Sequence, residues 1–206
     1  HGMSPIAWLD ECGLLGPRTI LAHAVHLGDD DIALIRERQA IVAHMPVSNA
    51  KLGSGRFRFA AVVEQAGCRT TIGTDGCASN NNLSMFDETK SAALSAKLEA
   101  GSPVAGRART VFDCATRNGA ETFGIDAGVI EPGRLADAML IDLDHPAMVP
   151  GHHLVSNLVY SADTSVVRTV ICDGRVLMRD RVIPGEAEIV EAARSAARKY
   201  APLALR

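Results

Sequence analysis

The 206-residue sequence is poor in aromatic residues, which make up 4% of it, and its formal net charge at pH 7 is only −3. Nucleic-acid binders usually present clustered lysine and arginine side chains, and single-strand binders add aromatic rings on which bases stack. The basic residues here are scattered along the chain. The sequence therefore argues against a nucleic-acid partner.

Paired cysteines and long apolar runs are also missing. The five cysteines form no Cys-x-x-Cys pair, which argues against a disulfide scaffold and against a structural zinc knuckle. Reduced thiols fit a cytoplasmic protein, which is what we expect. No apolar run approaches the roughly 20 residues that span a bilayer, so we expect no membrane partner.

Short apolar runs alternate with amphipathic segments in the first 127 residues. This alternation is typical of an α/β fold whose parallel strands are buried on both faces and joined by helical crossovers. The pattern predicts strands over 19–27, 40–46 and 70–76. It predicts a glycine- and serine-rich loop over 47–55, and helices from Ser4 to Gly13 or Gly16 and over 29–38, 59–67, 83–100 and 107–123.

The pattern changes near Gly128, where the runs become strand-like. Asp173-Gly174 stands between two β-rich segments, which is a strong hairpin signal. Residues 185–206 have the pattern of an amphipathic helix. We expect three parts: an α/β unit over 1–127, a small β module over 128–184 and a C-terminal helix over 185–206.

Potential ligands and bases stand at the end of each of the three predicted parallel strands: His23 or His26, then His44, then Asp75. Reacting groups in parallel α/β folds gather at the carboxyl ends of the strands. His23 and His26 are three residues apart and would face opposite sides of a regular strand. We favour His23 because it follows the apolar run directly. A single histidine near a strand end is more often a structural hydrogen-bonding residue than a ligand, but candidates on three consecutive strands favour a site.

Asp75 ends an apolar run and is followed by a turn that contains three asparagines in succession, Asn80 to Asn82. Such a turn is common on protein surfaces. A carboxylate at the end of a buried strand, however, is costly unless a metal, a base or a substrate accompanies it. Lys51 and Arg56 flank a glycine-rich segment and could hold a phosphate, but the spacing of a P-loop is lacking.

Several of these segments together resemble the second half of a metal-dependent amidohydrolase. The resemblance is to the branch of 5-methylthioadenosine and S-adenosylhomocysteine deaminases, which also holds triazine chlorohydrolases and guanine-type deaminases. It covers Ser4 to about Arg181. The segments are ILAHAVHL, VAHMPVSNAKLGSG, GTDGCASNNNL with the following ETKSAAL, and PGRLADAMLIDLD.

The resemblance implies the C-terminal part of a (β/α)8 barrel, strands six to eight, together with part of a small β-sandwich. It implies one divalent metal, most often zinc with iron or manganese as alternatives. Asp75 would bind the metal, accept a proton from the attacking water and contact the substrate. His23 would orient that water, and His44 would lie near the substrate. A purine nucleoside is the implied substrate, and a homo-oligomer is the implied assembly.

The family's His-x-His pair and its His-x-x-Glu motif do not occur in this sequence. A catalytic zinc usually has about three protein ligands. We therefore expect the remaining ligands to come from an N-terminal half outside these residues. The alternatives are a guanine- or 8-oxoguanine-type deaminase, a triazine chlorohydrolase, or a non-catalytic half-barrel that serves as a subunit or binding module.

Overall fold

The structure is a computed structural model that describes residues 2–200. It contains a parallel sheet of order β1-β2-β3 and an antiparallel sheet of order β4-β5-β6. The strands are β1 (Ile20–Ala22), β2 (Ile41–His44), β3 (Thr70–Ile72), β4 (Ala138–Ile141), β5 (Val167–Cys172) and β6 (Arg175–Met178).

Helices connect and cover these strands. Within the described part of the chain they are α1 (Pro5–Glu11), α2 (Asp29–Glu37), α3 (Pro46–Leu52), a π-helix (Ala60–Gln65), α4 (Cys77–Asn80), α5 (Met85–Ala100), α6 (Ala108–Ala115), α7 (Arg117–Phe123), α8 (Leu154–Tyr160) and α9 (Glu186–Tyr200). In the same residues, two 3-10 turns lie before and after α8, at Pro146–Met148 and Thr164–Val166. The predicted C-terminal helix is present as α9, and residues 201–206 lie outside the description.

The parallel sheet places the ends of its three strands at one edge. β2 is the central strand, and all four of its residues are buried. It pairs Val42 with Leu21 on one side and with Thr70 on the other. Apolar and β-branched side chains favour a strand that is buried on both faces. Because the strands are parallel and in register, the residues that follow each one meet at the same edge of the sheet.

The main hydrophobic core lies between this sheet and the helices, and it includes Ile35, Val42, Phe59 and Val62. Helix α5 begins where the Ser84 hydroxyl accepts a hydrogen bond from the Asp87 amide, a standard N-cap. It adds the small, fully buried Ala92, Ala93 and Ala96 to the core. Leu94 of the same helix has an exposed fraction of 45% and does not belong to this buried face. The alanine face lets neighbouring backbone approach closely.

Three predictions for the first sheet and its connections were wrong. Residues 47–55 are not all loop, because Pro46 starts α3 with its fixed φ and the left-handed Gly53 ends it. The strand predicted over 19–27 ends at Ala22, because His23 and Ala24 adopt left-handed backbone with φ of 66° and 51°. The strand predicted over 70–76 ends at Ile72, and Asp75 beyond it is also left-handed, with φ of 61°. All three differences bear directly on the candidate site.

The helix predicted over 107–123 is two helices, because Thr116 leaves helical geometry at φ −129° and ψ −94°. The hairpin prediction is confirmed: Asp173 and Gly174 join β5 to β6, and both have positive φ. Positive φ at both central residues defines the turn that suits the twist of a two-residue hairpin. Among the helices of residues 2–200, none has the length and apolar character to cross a membrane.

Candidate active site

His23 and Asp75 lie side by side at the carboxyl edge of the parallel sheet. The Nε2 atom of His23 is 4.0 Å from Oδ2 of Asp75. The exposed fractions of the two side chains are 38% and 30%, so both can reach a molecule in solution. A base and a carboxylate are therefore held together on an accessible surface.

Two donors hold the Asp75 carboxylate. The Ser48 hydroxyl donates to Oδ2 at 2.6 Å, and the Gly76 backbone N–H donates to Oδ1 at 2.7 Å. These hydrogen bonds, the Ser48 bond most of all, lower the pKa of Asp75 to about 2, because they stabilise its charged form. Asp75 is therefore an anion at neutral pH, with its backbone in the left-handed region at φ 61°.

His23 is oriented by Asn49. The Nδ1 atom of His23 lies 2.8 Å from Oδ1 of Asn49, whose side chain is on the buried face of α3. An amide oxygen only accepts hydrogen bonds, so this geometry assigns the proton to Nδ1. The Nε2 atom is then left as the acceptor on the side of Asp75. The imidazole is thus set in one orientation and one tautomer.

Ser48 and Asn49 contact the pair directly, and sequence reasoning missed both because they fell in the predicted loop over 47–55. They are consecutive residues of α3, and one contacts Asp75 while the other contacts His23. Pro46 followed by Gly53 is the signal of a short helix that could have revealed them. Helix α3 therefore positions both members of the pair.

His44 has a different environment from the pair. Its exposed fraction is 2%, and its ring stacks on Phe57 with 4.2 Å between the ring centroids. Within residues 2–200 neither ring nitrogen has a hydrogen-bond partner. Burial lowers the pKa of His44 to about 3, so its ring is neutral at pH 7. Within residues 2–200, no side-chain hydrogen bond or ion pair joins His44 to His23 or Asp75.

His44 instead lines a cavity of about 220 Å³ that is also lined by Asn49, Arg56 and Glu99. His26 lies beside the 53–57 segment, where a Cβ on Gly55 would be 3.0 Å from its ring. Of the two histidines that follow β1, His23 is therefore the one placed against Asp75. The predicted role of His44 at the substrate remains a prediction.

The asparagine-rich turn is tied to the site. The Asn80 amide donates to the carbonyl of Thr74 at 2.6 Å, directly before Asp75. The ammonium group of Lys51 donates to the Ala78 carbonyl at 2.8 Å and to the side chain of Asn81. Lys51 thus fastens the turn to α3. This is a structural contact, whereas the sequence analysis had considered Lys51 as a possible phosphate contact.

The carboxylate and the imidazole at this edge are donor types that metal sites use. Residues 2–200 contain no cluster of three or more histidine, cysteine, aspartate or glutamate side chains that could hold a metal ion. Asp75 is nevertheless an ionised, accessible carboxylate with an imidazole nearby, and oxygen and nitrogen donors of these kinds suit zinc. The donor set therefore fits a divalent metal, for which Asp75 could serve as one ligand.

The Amidohydrolase family profile matches residues 1–177, and the chain belongs to that family. It is 49% identical over 191 residues to a 5'-deoxyadenosine deaminase of Methanothermobacter thermautotrophicus, covering 93% of this chain and 44% of the relative. It is also 49% identical over 183 residues to a 5-methylthioadenosine/S-adenosylhomocysteine deaminase of Haloarcula marismortui, covering 89% of this chain and 42% of the relative.

The fold is similar to a crystal structure of an adenosine deaminase from Xanthomonas campestris with bound zinc. The TM-score is 0.92 at 38% identity, with 97% of this chain and 46% of that chain covered. The resemblance seen in the sequence motifs is confirmed, and the mixed α/β architecture is that of the amidohydrolase fold. The chain spans slightly less than half the length of the curated relatives it matches.

Proposed function

We propose that these residues form part of an enzyme that removes the amino group of an adenosine-type nucleoside by hydrolysis and releases ammonia. The observation that carries this proposal is the pair of His23 and Asp75, 4.0 Å apart at the open edge of the sheet. The names of the relatives point to the substrate class, namely 5'-deoxyadenosine, 5-methylthioadenosine or S-adenosylhomocysteine.

Asp75 would take two roles in this reaction. Its carboxylate is ionised at neutral pH and would hold a divalent metal, for which zinc is the first candidate because the similar solved structure contains it. When bound, such a metal acts as a Lewis acid that makes a water molecule acidic near neutral pH. Asp75 would accept a proton from the attacking water as its oxygen bonds to the purine carbon that carries the amino group. Asp75 would return that proton to the amino nitrogen as the C–N bond breaks and ammonia leaves.

His23 would orient the attacking water through Nε2, because Asn49 keeps the proton on Nδ1. His44 would act from its cavity on the position of the substrate, without a charge of its own at pH 7. Asn80 and Ser48 would hold the loop and the carboxylate in place. The remaining metal ligands would come from residues outside these 206.

The finer architecture is part of the same proposal. The parallel sheet would be the last three strands of a (β/α)8 barrel, and the antiparallel sheet would belong to a small β-sandwich, with boundaries near residues 127 and 184. All five cysteines are free, and Cys68 and Cys114 are buried, which supports a reducing, cytoplasmic setting. A homo-oligomer completes the proposal.

The test is an ammonia-release assay on the complete protein loaded with zinc. The substrates are 5'-deoxyadenosine, 5-methylthioadenosine, S-adenosylhomocysteine and adenosine. Guanine and 8-oxoguanine are comparisons in the same assay, and a chlorotriazine is a comparison that is followed by chloride release. We expect turnover of at least one adenosine-type nucleoside and none of the comparison compounds. Preferred turnover of a comparison compound would move the proposal to that substrate on the same scaffold.

A protein that binds no metal and turns over none of these compounds would support the non-catalytic reading instead. The zinc content of the purified protein distinguishes this outcome from a wrong choice of substrate. If the protein contains zinc but is inactive on every compound, the proposed metal site stands and the proposed substrate class is wrong.

A further inference from the structure

Glu88 is a fully buried carboxylate outside the pair of His23 and Asp75, with an exposed fraction of 0%. It lies in the first turns of α5. Burying a carboxylate is costly unless its oxygens accept hydrogen bonds. Both oxygens of Glu88 do so, and each bond leads to a different segment of the candidate site.

The first bond leads to α3. Oε2 of Glu88 accepts from the backbone N–H of Val47 at 3.2 Å. This N–H belongs to the first turn of α3, where no intrahelical partner exists and where the N-cap residue offers no side-chain bond. The next two residues are Ser48 and Asn49, which contact Asp75 and His23. Glu88 therefore anchors the helix that positions the pair.

The second bond leads to the asparagine-rich turn. Oε1 of Glu88 accepts from the side-chain amide of Asn80, which is itself buried. The same amide nitrogen donates to the carbonyl of Thr74, the residue before Asp75. Glu88 thus reaches Asp75 a second time, through Asn80 and the backbone of the turn.

We propose that Glu88 is a positioning residue that locks α3 and the asparagine-rich turn together, and thereby fixes His23 and Asp75 relative to each other. The proposal rests on the function proposed above. Helix α5 is a suitable anchor because its buried alanines pack it into the main core. The packing of α5 in the core therefore restrains α3 and the asparagine-rich turn at the exposed edge of the sheet.

The variant that tests this is Glu88→Gln. Glutamine has one acceptor where glutamate has two, so it can keep the bond to Val47 or the bond to Asn80 but not both. Turning the Asn80 amide would not repair the loss, because its oxygen would then face the Thr74 carbonyl. The variant changes little volume and removes one of the two connections.

We expect Glu88→Gln in the complete, zinc-loaded protein to lower kcat by about 100-fold, since misplacing a reacting group by about 1 Å has this effect. KM should change by less than about threefold, because no substrate contact is removed. The bound zinc per chain should fall, and segments 45–52 and 73–82 should exchange amide hydrogen faster. Unchanged kcat, zinc content and exchange would overturn the proposal.

The matched control is Thr89→Val, at the next residue of α5. Thr89 is also buried, and among residues 2–200 its hydroxyl donates to the Phe86 carbonyl of the same helix alone. Thr89→Val should lower Tm without changing kcat or the exchange of the two segments. If it lowers kcat as much as Glu88→Gln does, Glu88 contributes only to stability and the proposal fails.

A double-mutant cycle with Ser48→Ala separates positioning from general destabilisation. If Glu88 acts through α3, the two substitutions remove parts of one connection, and their losses in kcat should not multiply. Fully multiplicative losses would contradict the proposal. Should Glu88→Gln fail to fold, Asn80→Ala breaks the second connection alone, with the same expected fall in kcat and an unchanged kcat as the contrary result.

The outcomes distinguish this inference from the proposed function. If the parent protein deaminates none of the nucleosides, the proposed function fails, while zinc content and hydrogen exchange still decide the role of Glu88. If the parent is active and Glu88→Gln equals it in all three measurements, only the role of Glu88 fails.

Discussion

The Ser48 hydroxyl lies 2.6 Å from Oδ2 of Asp75, the same oxygen that is 4.0 Å from Nε2 of His23. A single helix residue thus fixes the carboxylate that faces the imidazole, while Asn49, the next residue, fixes the imidazole itself. Consecutive residues of a helix project in different directions, which is how α3 can reach two partners on two different strand ends.

His23 and Asp75 share a second feature, since both have left-handed backbone with φ of 66° and 61°. Such geometry is uncommon for residues other than glycine, and it persists where surrounding contacts determine it. The contacts are visible here: the His23 N–H bonds to the Ala43 carbonyl, and Asp75 is held from Ser48 and Gly76. The backbone turns of both residues aim their side chains at the same place.

Replacing Asp75 with asparagine should weaken zinc binding and nearly abolish turnover. The substitution keeps the shape of the side chain but removes the negative charge and the proton acceptor. Zinc per chain and the rate of ammonia release measure the two effects. Asp30→Asn is the control, because it removes a carboxylate on the exposed start of α2. Asp75→Asn activity within about tenfold of the parent would remove Asp75 from the proposed role.

His23→Ala should lower kcat by about 100-fold or more, the usual contribution of a positioned base. KM should change little, because the proposed partner of His23 is the attacking water. His26→Ala, at the other histidine after β1, is the matched control and should leave kcat near that of the parent. Steady-state kinetics decide between them. A large rise in KM with unchanged kcat would instead assign His23 to substrate binding.

Much of this arrangement could be predicted from the sequence. The short apolar runs around Leu21, Val42 and Thr71 predicted parallel strands, and the placement of His23, His44 and Asp75 after them followed from parallel geometry. The Asp173-Gly174 turn was likewise predictable, because few residue pairs readily adopt positive φ at both central positions of a turn. These features depend on local chemistry, which a sequence displays directly.

The parts that were missed depend on contacts between distant segments. Nothing next to Glu88 in the sequence indicates that its oxygens meet Val47 and Asn80, 41 and 8 residues away. The direction of His44 was also hidden, because a four-residue strand buried throughout gives no alternation to show which face the ring occupies. Tertiary packing determines both.

Acid should destabilise the protein partly through His44. Its pKa is about 3 in the folded chain and about 6.5 when unfolded, so between these values the unfolded chain binds one proton more. The contribution of the uncharged His44 to the free energy of unfolding is therefore complete above pH 6.5 and is lost as the pH falls. The loss from His44 by pH 5 should be about 2 kcal/mol.

Urea unfolding of the protein at pH 7 and pH 5 measures this dependence. His44→Phe cannot titrate and should lose less free energy of unfolding between the two pH values than the parent does. The other groups around the ring, namely His23, Arg56 and Glu99, are unchanged in the variant. His152→Gln, at an exposed histidine, should keep the parental difference. Equal differences for parent and His44→Phe would contradict the assignment.

The ring of Phe59 should be a principal source of stability for the α/β part. Its exposed fraction is 1%, and it packs in the main core with its ring edge-on to Phe57 at 6.2 Å between centroids. Phe59→Ala would leave a cavity that this close-packed interior cannot fill, at a cost of about 3–5 kcal/mol in the free energy of unfolding. Phe123→Ala makes the same change on a side chain whose exposed fraction is 66%, and should cost within about 0.5 kcal/mol. Urea unfolding of both variants gives the comparison.

Because Phe57 also stacks on His44, Phe59→Ala should in addition loosen the packing around His44 and reduce the difference in stability between pH 7 and pH 5. Similar free energies of unfolding for Phe59→Ala and Phe123→Ala would mean that the core can rearrange around the lost ring. Contacts other than those of Phe59 would then stabilise the edge of the sheet that carries the candidate site.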